Sequence, residues 1–440
     1  RALSAAPGAR DSALHALVTF RRNGGRGDPG FRAADKREEA LARTIFWGVL
    51  QNMSLLDFYI SSYSRRAMQT LEPLLLDILR IGVYQVLFLD RVPAHAAVHE
   101  TVDQTKRHVN EGAAKLANAV MRRIQENRDT LPEPPRTDMA SYLSVRYSHP
   151  EWLCRKLLSM MPGSDCESFL EANNRPAPLT IQTNTLRTDR DRLLRELRSS
   201  GLEAEPHVWE TGTINIAGGS DPLAISAFIR GLATVQDPAA RLAVTAAQLF
   251  PGARVIDPCA APGGKSFAAA MDMNNTGEIL SFDLSTKKIP RIEQGARRLG
   301  IDIIRAEARD AREYDPRLDS TADAVIADVP CSGLGTIRKK PQIRYKTEEE
   351  ISGLPATQLS ILENVSRYVK PGGVLVYSTC TVLPEENDGV TGCFLDSHRE
   401  FTPEDFPVNA PEAQSLNGAV TLWPHRDCSD GFYIRKMRRR

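Results

Sequence analysis

The chain has 440 residues, 42% hydrophobic and 25% charged, with 56 Lys and Arg against 55 Asp and Glu. That composition excludes wholesale disorder, and the length removes any need for disulfide or metal staples. A net charge of +1 excludes a polycation that coats nucleic acid by charge alone.

The charge is uneven along the chain: residues 1–150 carry 21 Lys and Arg against 16 Asp and Glu. A mildly basic first third fits an RNA-facing surface and fits a solvated helical face equally well. The spacing predicts helices there. Ala33–Gln51 carries Leu41, Ile45, Phe46, Val49 and Leu50 at helical intervals, and Leu71–Leu89 reads as a central buried helix. His99–His108 and Ala113–Ile124 follow as two further helical runs. Three prolines in Asn127–Arg136 mark a linker, which closes an all-helical domain over residues 1–135.

Residues 136–240 read as a small α+β module. Strands are expected at Leu179–Thr183, Ala204–Trp209 and Thr213–Ala217, and a charged helix at Arg190–Ser199 is stopped by Gly201. Leu232–Pro251 forms the bridge to the last domain, residues 241–440. There the rhythm becomes β-α-β-α, with apolar runs at Val255–Asp257, Ile279–Asp283, Ile301–Ala306, Ala324–Asp328 and Val374–Ser378. Helical stretches such as Lys287–Leu299 and Pro355–Val369 separate most of them. Such alternation predicts an open, Rossmann-like α/β parallel sheet that binds ligands at the carboxyl ends of its strands. Asp257, Asp283, Asp328 and Ser378–Cys380 therefore share one rim.

No apolar run reaches the roughly 18 residues of a membrane span. The opening residues lack the apolar core of a signal peptide. Seven cysteines without a C-x-x-C pair support neither a disulfide scaffold nor a zinc site, so a reduced, cytoplasmic protein without metal is expected. The chain opens on Arg1 rather than Met and reads as trimmed at its start.

Between the first strand of the last domain and the next helix stands DPCAAPGGKS, Asp257–Ser266. Gly263 and Gly264 let backbone N–H groups approach a ligand at the positive end of a helix. A P-loop would need glycine where Cys259 stands, and G-x-G-x-x-G is absent; a tight structural turn is the bland alternative. Asp283, at the end of the next strand, lies where doubly wound folds place a carboxylate for ribose hydroxyls, which favours an adenosine ligand.

Two cysteines stand at strand ends, Cys331 in ADVPCSGLG and Cys380 in VLVYSTCT. Singly, a cysteine is more often an inert buried residue; two on one rim beside a nucleoside site suggest a soft nucleophile. A thiol beside S-adenosylmethionine suits carbon-5 methylation of a pyrimidine. Carbon 5 of cytosine becomes nucleophilic only after a thiolate has added to carbon 6.

DPCAAPGGKS, DVPCSGLG, KKPQIRYK and YSTCTVLPEEN together resemble the motifs of RNA 5-methylcytosine methyltransferases. RVPAHAAVHETV and the helical first third resemble the NusB-like domain of the Fmu/Sun/RsmB type, which methylates bacterial 16S ribosomal RNA. EANNRPAPLTIQTNTL and DGFYIRK match that type too, so the resemblance spans nearly the whole chain. It implies a class I methyltransferase domain that uses S-adenosylmethionine, and an RNA substrate, 16S rRNA or a small-subunit assembly intermediate. It implies a cofactor loop over Cys259, Ala260, Ala261, Pro262, Gly263, Gly264 and Lys265. Asp283 is implied for the ribose, Asp310 for the adenine side and Asp328 as the motif aspartate. The nucleophile falls on Cys380, and Cys331 is associated with product release. Pro258, Val329 and Arg309 depart from the usual Leu, Ala and Gly of the family motifs.

Arg338, Lys339, Lys340, Arg344 and Lys346 form a basic cluster after the Cys331 turn, expected to meet RNA phosphate rather than to be a solvated face. The basic tail Arg435–Arg440 is expected to fray. His95 and His99, at i,i+4 spacing, read as packing or capping residues rather than a metal pair. A monomer is expected. Three other readings stay open: an RNA-binding or antitermination-type factor with an inactive methyltransferase fold, methylation of another RNA such as tRNA, and a DNA cytosine methyltransferase using Cys331.

Overall fold

In the computed structural model, which describes residues 8–25, 27, 30–64, 66–217 and 221–440, the chain divides into two compact units. The first is all-helical. It contains α1 (Ala9–Arg22), α2 (Lys36–Tyr63), α3 (Pro73–Phe88), α4 (Ala94–His108), α5 (Glu111–Glu126), α6 (Met139–Tyr147), α7 (Glu151–Met160) and α8 (Gly163–Asn174). The Asp35 carboxylate caps α2 by accepting from the Arg37 and Glu38 amides, and Asn110 caps α5 through the Ala113 amide. Ile45, Phe46, Val49 and Leu50 of α2 pack with Ile78 and Leu79 of α3 and Ile124 of α5 in one buried cluster. The periodic apolar positions are thus the ones that leave water.

This unit runs past the proline-rich segment to Asn174 and also takes in Lys340–Tyr345. Hydrogen bonds account for both extensions. The Leu55 amide donates to Ser148 Oγ at 3.1 Å, and Gln51 Nε2 donates to the Asn174 carbonyl at 2.7 Å. Arg344, wholly buried, donates to the carbonyls of Gln51 (2.6 Å) and Ser148 (2.9 Å) and to Asn174 Oδ1 (2.9 Å). Such long-range bonds leave no trace in local periodicity.

The second unit begins with a four-stranded antiparallel sheet. Its elements are β1 (Leu179–Thr183), α9 (Arg190–Ser199), β2 (Ala204–Pro206), β3 (Thr213–Ile216), α10 (Ser226–Ile229) and β4 (Ala233–Val235), with strand order β2-β3-β1-β4. Ile181, Ile214 and Ile216 bury one face against Leu193 and Leu197 of α9. β4 lies inside the segment read as a bridge; three residues are too short to display alternation.

The larger sheet follows α11 (Pro238–Ala246). In chain order come β5 (Arg254–Asp257), α12 (Gly264–Asp272), β6 (Glu278–Asp283), α13 (Ile289–Leu299), β7 (Ile304–Ala308), β8 (Ala322–Asp328), α14 (Glu348–Ile351), α15 (Leu354–Ser366), β9 (Val369–Thr379) and α16 (Asp388–Ser397). Three more strands close the chain: β10 (Phe401–Pro403), β11 (Ala419–Leu422) and β12 (Phe432–Arg439). The order is β10-β12-β9-β8-β5-β6-β7, with β11 beside β12. β9, β8, β5, β6 and β7 run parallel, as expected; β12 pairs antiparallel with β9, so the sheet is mixed. Alternate strand residues divide between two cores: Val255, Ile279 and Val376 on one, Ile256, Leu280 and Leu375 on the other.

The expectation of a frayed tail is corrected. β12 pairs in register with both β9 and β10, and Ile434 and Met437 are buried. Its basic residues find acceptors: Lys436 Nζ, wholly buried, donates to Gln248 Oε1 and pairs with Glu404, both at 2.6 Å. Among the described residues no helix is long and apolar enough to cross a membrane.

Candidate active site

The carboxyl ends of β5, β6, β8 and β9 converge on a cavity of about 460 Å³, lined by Cys259, Ala261, Asp283, Asp310, Asp328, Cys331 and Cys380 among others. One wall is the turn from β5 into α12. Gly263, at φ +112°, occupies a conformation that L side chains rarely adopt, and a Cβ there would lie 2.3 Å from the Phe267 ring. The turn is tied to the next strand end: the Ala261 amide donates to Asp283 Oδ2 at 3.3 Å, and Ser285 N donates to Oδ1 at 2.9 Å. Asp283 is nearly buried yet opens on the cavity.

Ala260, Pro262, Gly263, Gly264 and Lys265 stand behind that wall. Lys265, nearly buried, turns its ammonium onto Asp328 Oδ2 at 2.7 Å; burial disfavours the charge, but the Asp328 carboxylate outweighs it and holds the group above its ordinary value. Asp328 Oδ1 accepts from Ser378 Oγ at 2.8 Å, which joins the ends of β8 and β9. Beneath them Asp257 is buried and pushed up to about 7 by desolvation, against the opposing bond from Ser266 Oγ at 2.7 Å. Asp310, past β7, is tied to Arg312, whose side-chain bonds hold its carboxyl low.

At the cavity floor Cys331 Sγ lies 3.2 Å from Cys380 Sγ. The Cys331 thiol donating to Cys380 raises the first group and lowers the second, although burial works against the charge on both. Around Cys380 the Asp328 carboxylate opposes a thiolate and the Lys265 cation favours one, whereas the Glu386 and Asp328 carboxylates both disfavour one on Cys331. Of the two thiols, Cys380 is thus the one shifted towards the thiolate and Cys331 the one shifted away from it.

The two turns that carry the cysteines are laced together. The Gly335 amide donates to the Cys380 carbonyl at 3.0 Å, and Ser332 Oγ donates to Thr381 Oγ1 at 2.7 Å. A Cβ on Gly335 would fall 1.8 Å from the Gly431 carbonyl oxygen, so only glycine permits that crossing. Glu386 Oε2 accepts from the Ser332 amide and from Gln358 Nε2, both at 2.8 Å. Sequence reasoning passed over Glu386 and Gln358. The first lay in view inside PEEN after the second cysteine; the second, on an amphipathic helix, carried no signal.

Arg338, Lys339 and Arg344 of the basic cluster have partners within the chain, and burial corrects the expectation of RNA contact for one of them, Arg344. Arg344 is wholly buried among carbonyl acceptors. Lys339 Nζ bridges Asp237 (2.5 Å) and Asp430 (2.9 Å), and Arg338 Nε lies 3.4 Å from Asp430 Oδ1. Asp237 in turn caps α11 through the Ala239 amide. Lys340 is exposed. His99 lies 3.5 Å from Asp103 on an exposed helix face.

Comparison with known proteins accords with this architecture. Residues 244–438 match the model of the 16S rRNA methyltransferase RsmB/F family, residues 10–126 that of the NusB family, and residues 149–221 that of the ferredoxin-like domain of RsmF/B-like methyltransferases. The chain is 32% identical to the probable ribosomal RNA small subunit methyltransferase B of Bacillus subtilis over 98% of both chains. It is 30% identical to the ribosomal RNA small subunit methyltransferase B of Klebsiella pneumoniae, over 93% of this chain and 92% of that one. The crystal structure of PH0851 superposes with a TM-score of 0.78 at 27% identity, covering 99% of this chain and all of that one. A methyltransferase homologue from Pyrococcus horikoshii gives 0.60 at 25%, covering 69% and 99%. With the helical, ferredoxin-like and mixed-sheet parts each matched, and relatives aligned nearly end to end, the chain belongs to the RsmB/F family of S-adenosylmethionine-dependent rRNA methyltransferases.

Proposed function

We propose that the chain methylates carbon 5 of a cytosine in 16S ribosomal RNA through a covalent bond between Cys380 and carbon 6. The observation that carries this reading is the 3.2 Å thiol pair in a cavity that Cys259, Ala261 and Asp283 also line. The residues present fit S-adenosylmethionine. Asp283 and Asp310 offer carboxylates to the ribose hydroxyls and the adenine side, and a glycine turn opens α12. When bound, the cofactor supplies an electrophilic methyl group.

Cys380 attacks as thiolate, forming the sulfur–carbon 6 bond and moving an electron pair towards carbon 5, which then takes the methyl group. Asp328, three residues before Cys331, hydrogen-bonds the base and stabilises positive charge at the ring nitrogen as the thiolate adds. Loss of the carbon-5 proton to a base then breaks the sulfur–carbon 6 bond, restoring the aromatic ring and the Cys380 thiolate. Cys331 serves this release stage. The protein acts in the cytoplasm as a monomer.

Bisulfite mapping of 16S rRNA tests the reading. Cells that lack the protein lose one protected cytosine, the intact gene restores it, and a Cys380→Ala gene does not. A methylation pattern unchanged by the deletion overturns the substrate assignment.

A further inference from the structure

Cys331 stands in a turn with no ladder to hold it, yet both of its neighbours are held. Gln358 Nε2 donates to the Pro330 carbonyl at 3.0 Å and to Glu386 Oε2 at 2.8 Å. The same Oε2 accepts the Ser332 amide at 2.8 Å. Glu386 and Gln358 are 2% and 0% exposed. A carboxylate buried among neutral donors is costly, and Glu386 spends its bonds on the flanks of this turn. The acid therefore calls for a reason beyond filling space.

We infer that Glu386 is a positioning residue for the release step: through the Ser332 amide and Gln358 it holds the Cys331 turn so that the Cys331 thiol stays on Cys380. The inference rests on the assignment of Cys380 as nucleophile and Cys331 to release. Two donors from different segments converge on one oxygen of Glu386, so a single acceptor fixes the turn that holds one sulfur against the other. The negative charge adds a second effect, since it disfavours a thiolate on Cys331 and keeps the proton there. The other ionisable groups facing the pair are Asp328, Lys265, Tyr377 and Asp430.

Diamide, which takes up two thiol hydrogens as a disulfide forms, reads the spacing of the sulfurs in the full-length protein without RNA. The wild type should close a Cys331–Cys380 disulfide, followed by mass spectrometry. Glu386→Ala should slow closure on the order of tenfold, the factor expected for one lost charge-assisted hydrogen bond. Glu386→Gln keeps an acceptor for both donors and should close at the wild-type rate or faster, because the lost charge no longer disfavours the Cys331 thiolate. Gln358→Met spares the Glu386–Ser332 bond, should also slow closure, and carries the same test should Glu386→Ala fail to fold. Glu386→Ala and Gln358→Met leave buried polar partners unpaired and should melt below wild type. Closure is therefore compared in protein that is still folded, and S-adenosylmethionine affinity, expected to stay near wild type, separates misplacement of the turn from general damage.

A folded Glu386→Ala or Gln358→Met protein that oxidises at the wild-type rate overturns the inference, and so does a Glu386→Gln protein as slow as Glu386→Ala. The underlying assignment fails separately. If Cys331→Ala leaves no covalent protein–RNA adduct, the roles of the two thiols are wrong, whatever the disulfide kinetics show.

Discussion

Lys265 Nζ and Asp328 Oδ2 meet at 2.7 Å, so the turn after β5 and the end of β8 share one ion pair. Lys265 also lies over the Phe432 ring, 5.1 Å from its centroid, and Asp328 is bonded to Ser378 two residues before Cys380. The pair connects the wall of the cavity to the thiols at its floor. A change at any of these positions is felt at the others through contact rather than at a distance.

The two cysteines should fail differently. Cys380→Ala abolishes methyl transfer and adduct formation together. Cys331→Ala still attacks and methylates, but accumulates a protein–RNA adduct that survives denaturing electrophoresis. An adduct with Cys380→Ala and none with Cys331→Ala would exchange the two roles.

Asp283→Ala removes a carboxylate that also ties down the Ala261 and Ser285 amides. A hydrogen bond to a charged group contributes about 1.5–3 kcal/mol, so S-adenosylmethionine should bind roughly ten- to a hundredfold more weakly. Calorimetry on a folded variant with unchanged affinity would remove Asp283 from the site.

Asp257 yields a prediction in pH. Its carboxyl is pushed up to about 7 in the folded chain by burial, against 3.8 when free. Between those values the native state binds the extra proton, so this group lowers stability as pH rises through the interval and exerts its full cost above it. Asp257→Asn keeps an acceptor for Ser266 Oγ and removes the titration. The difference in melting temperature, variant minus wild type, should therefore grow from pH 5 to pH 8. A constant difference over that range would show that Asp257 is not protonated in the native state.

Lys339→Ala and Arg344→Ala should cost stability rather than RNA affinity. The first leaves the buried Asp237 and Asp430 with Arg338 as their one remaining cation, a loss of about 1–3 kcal/mol. The second strips the donor from buried carbonyls of Gln51 and Ser148, about 2–4 kcal/mol in all. Each phosphate contact on a single strand contributes about 0.7 to the slope of log affinity against log salt. Neither variant should change that slope; a flatter slope in a protein of unchanged stability would restore these side chains to the RNA surface.

Periodicity and strand-end chemistry determined much from the sequence alone. The helices around Phe46 and Ile78, the order of β5 to β9, and the presence of Asp283, Asp328, Cys331 and Cys380 on one rim all follow from residues close together in the chain. Side-chain direction repeats every two or 3.6 residues, and parallel strands must end on the same side. Tertiary structure alone decided which charges are spent inside. Arg344, Lys339 and the basic strand β12 look like solvent-facing runs, because local pattern records charge and not the acceptor that folding brings from far along the chain, as Asp430 comes to Lys339 across 91 residues. The same holds at the site: only folding sets Cys331 Sγ 3.2 Å from Cys380 Sγ and brings Glu386 to the turn between them, since a hydrogen bond across the fold depends on distance in space and leaves no mark in the spacing of the chain.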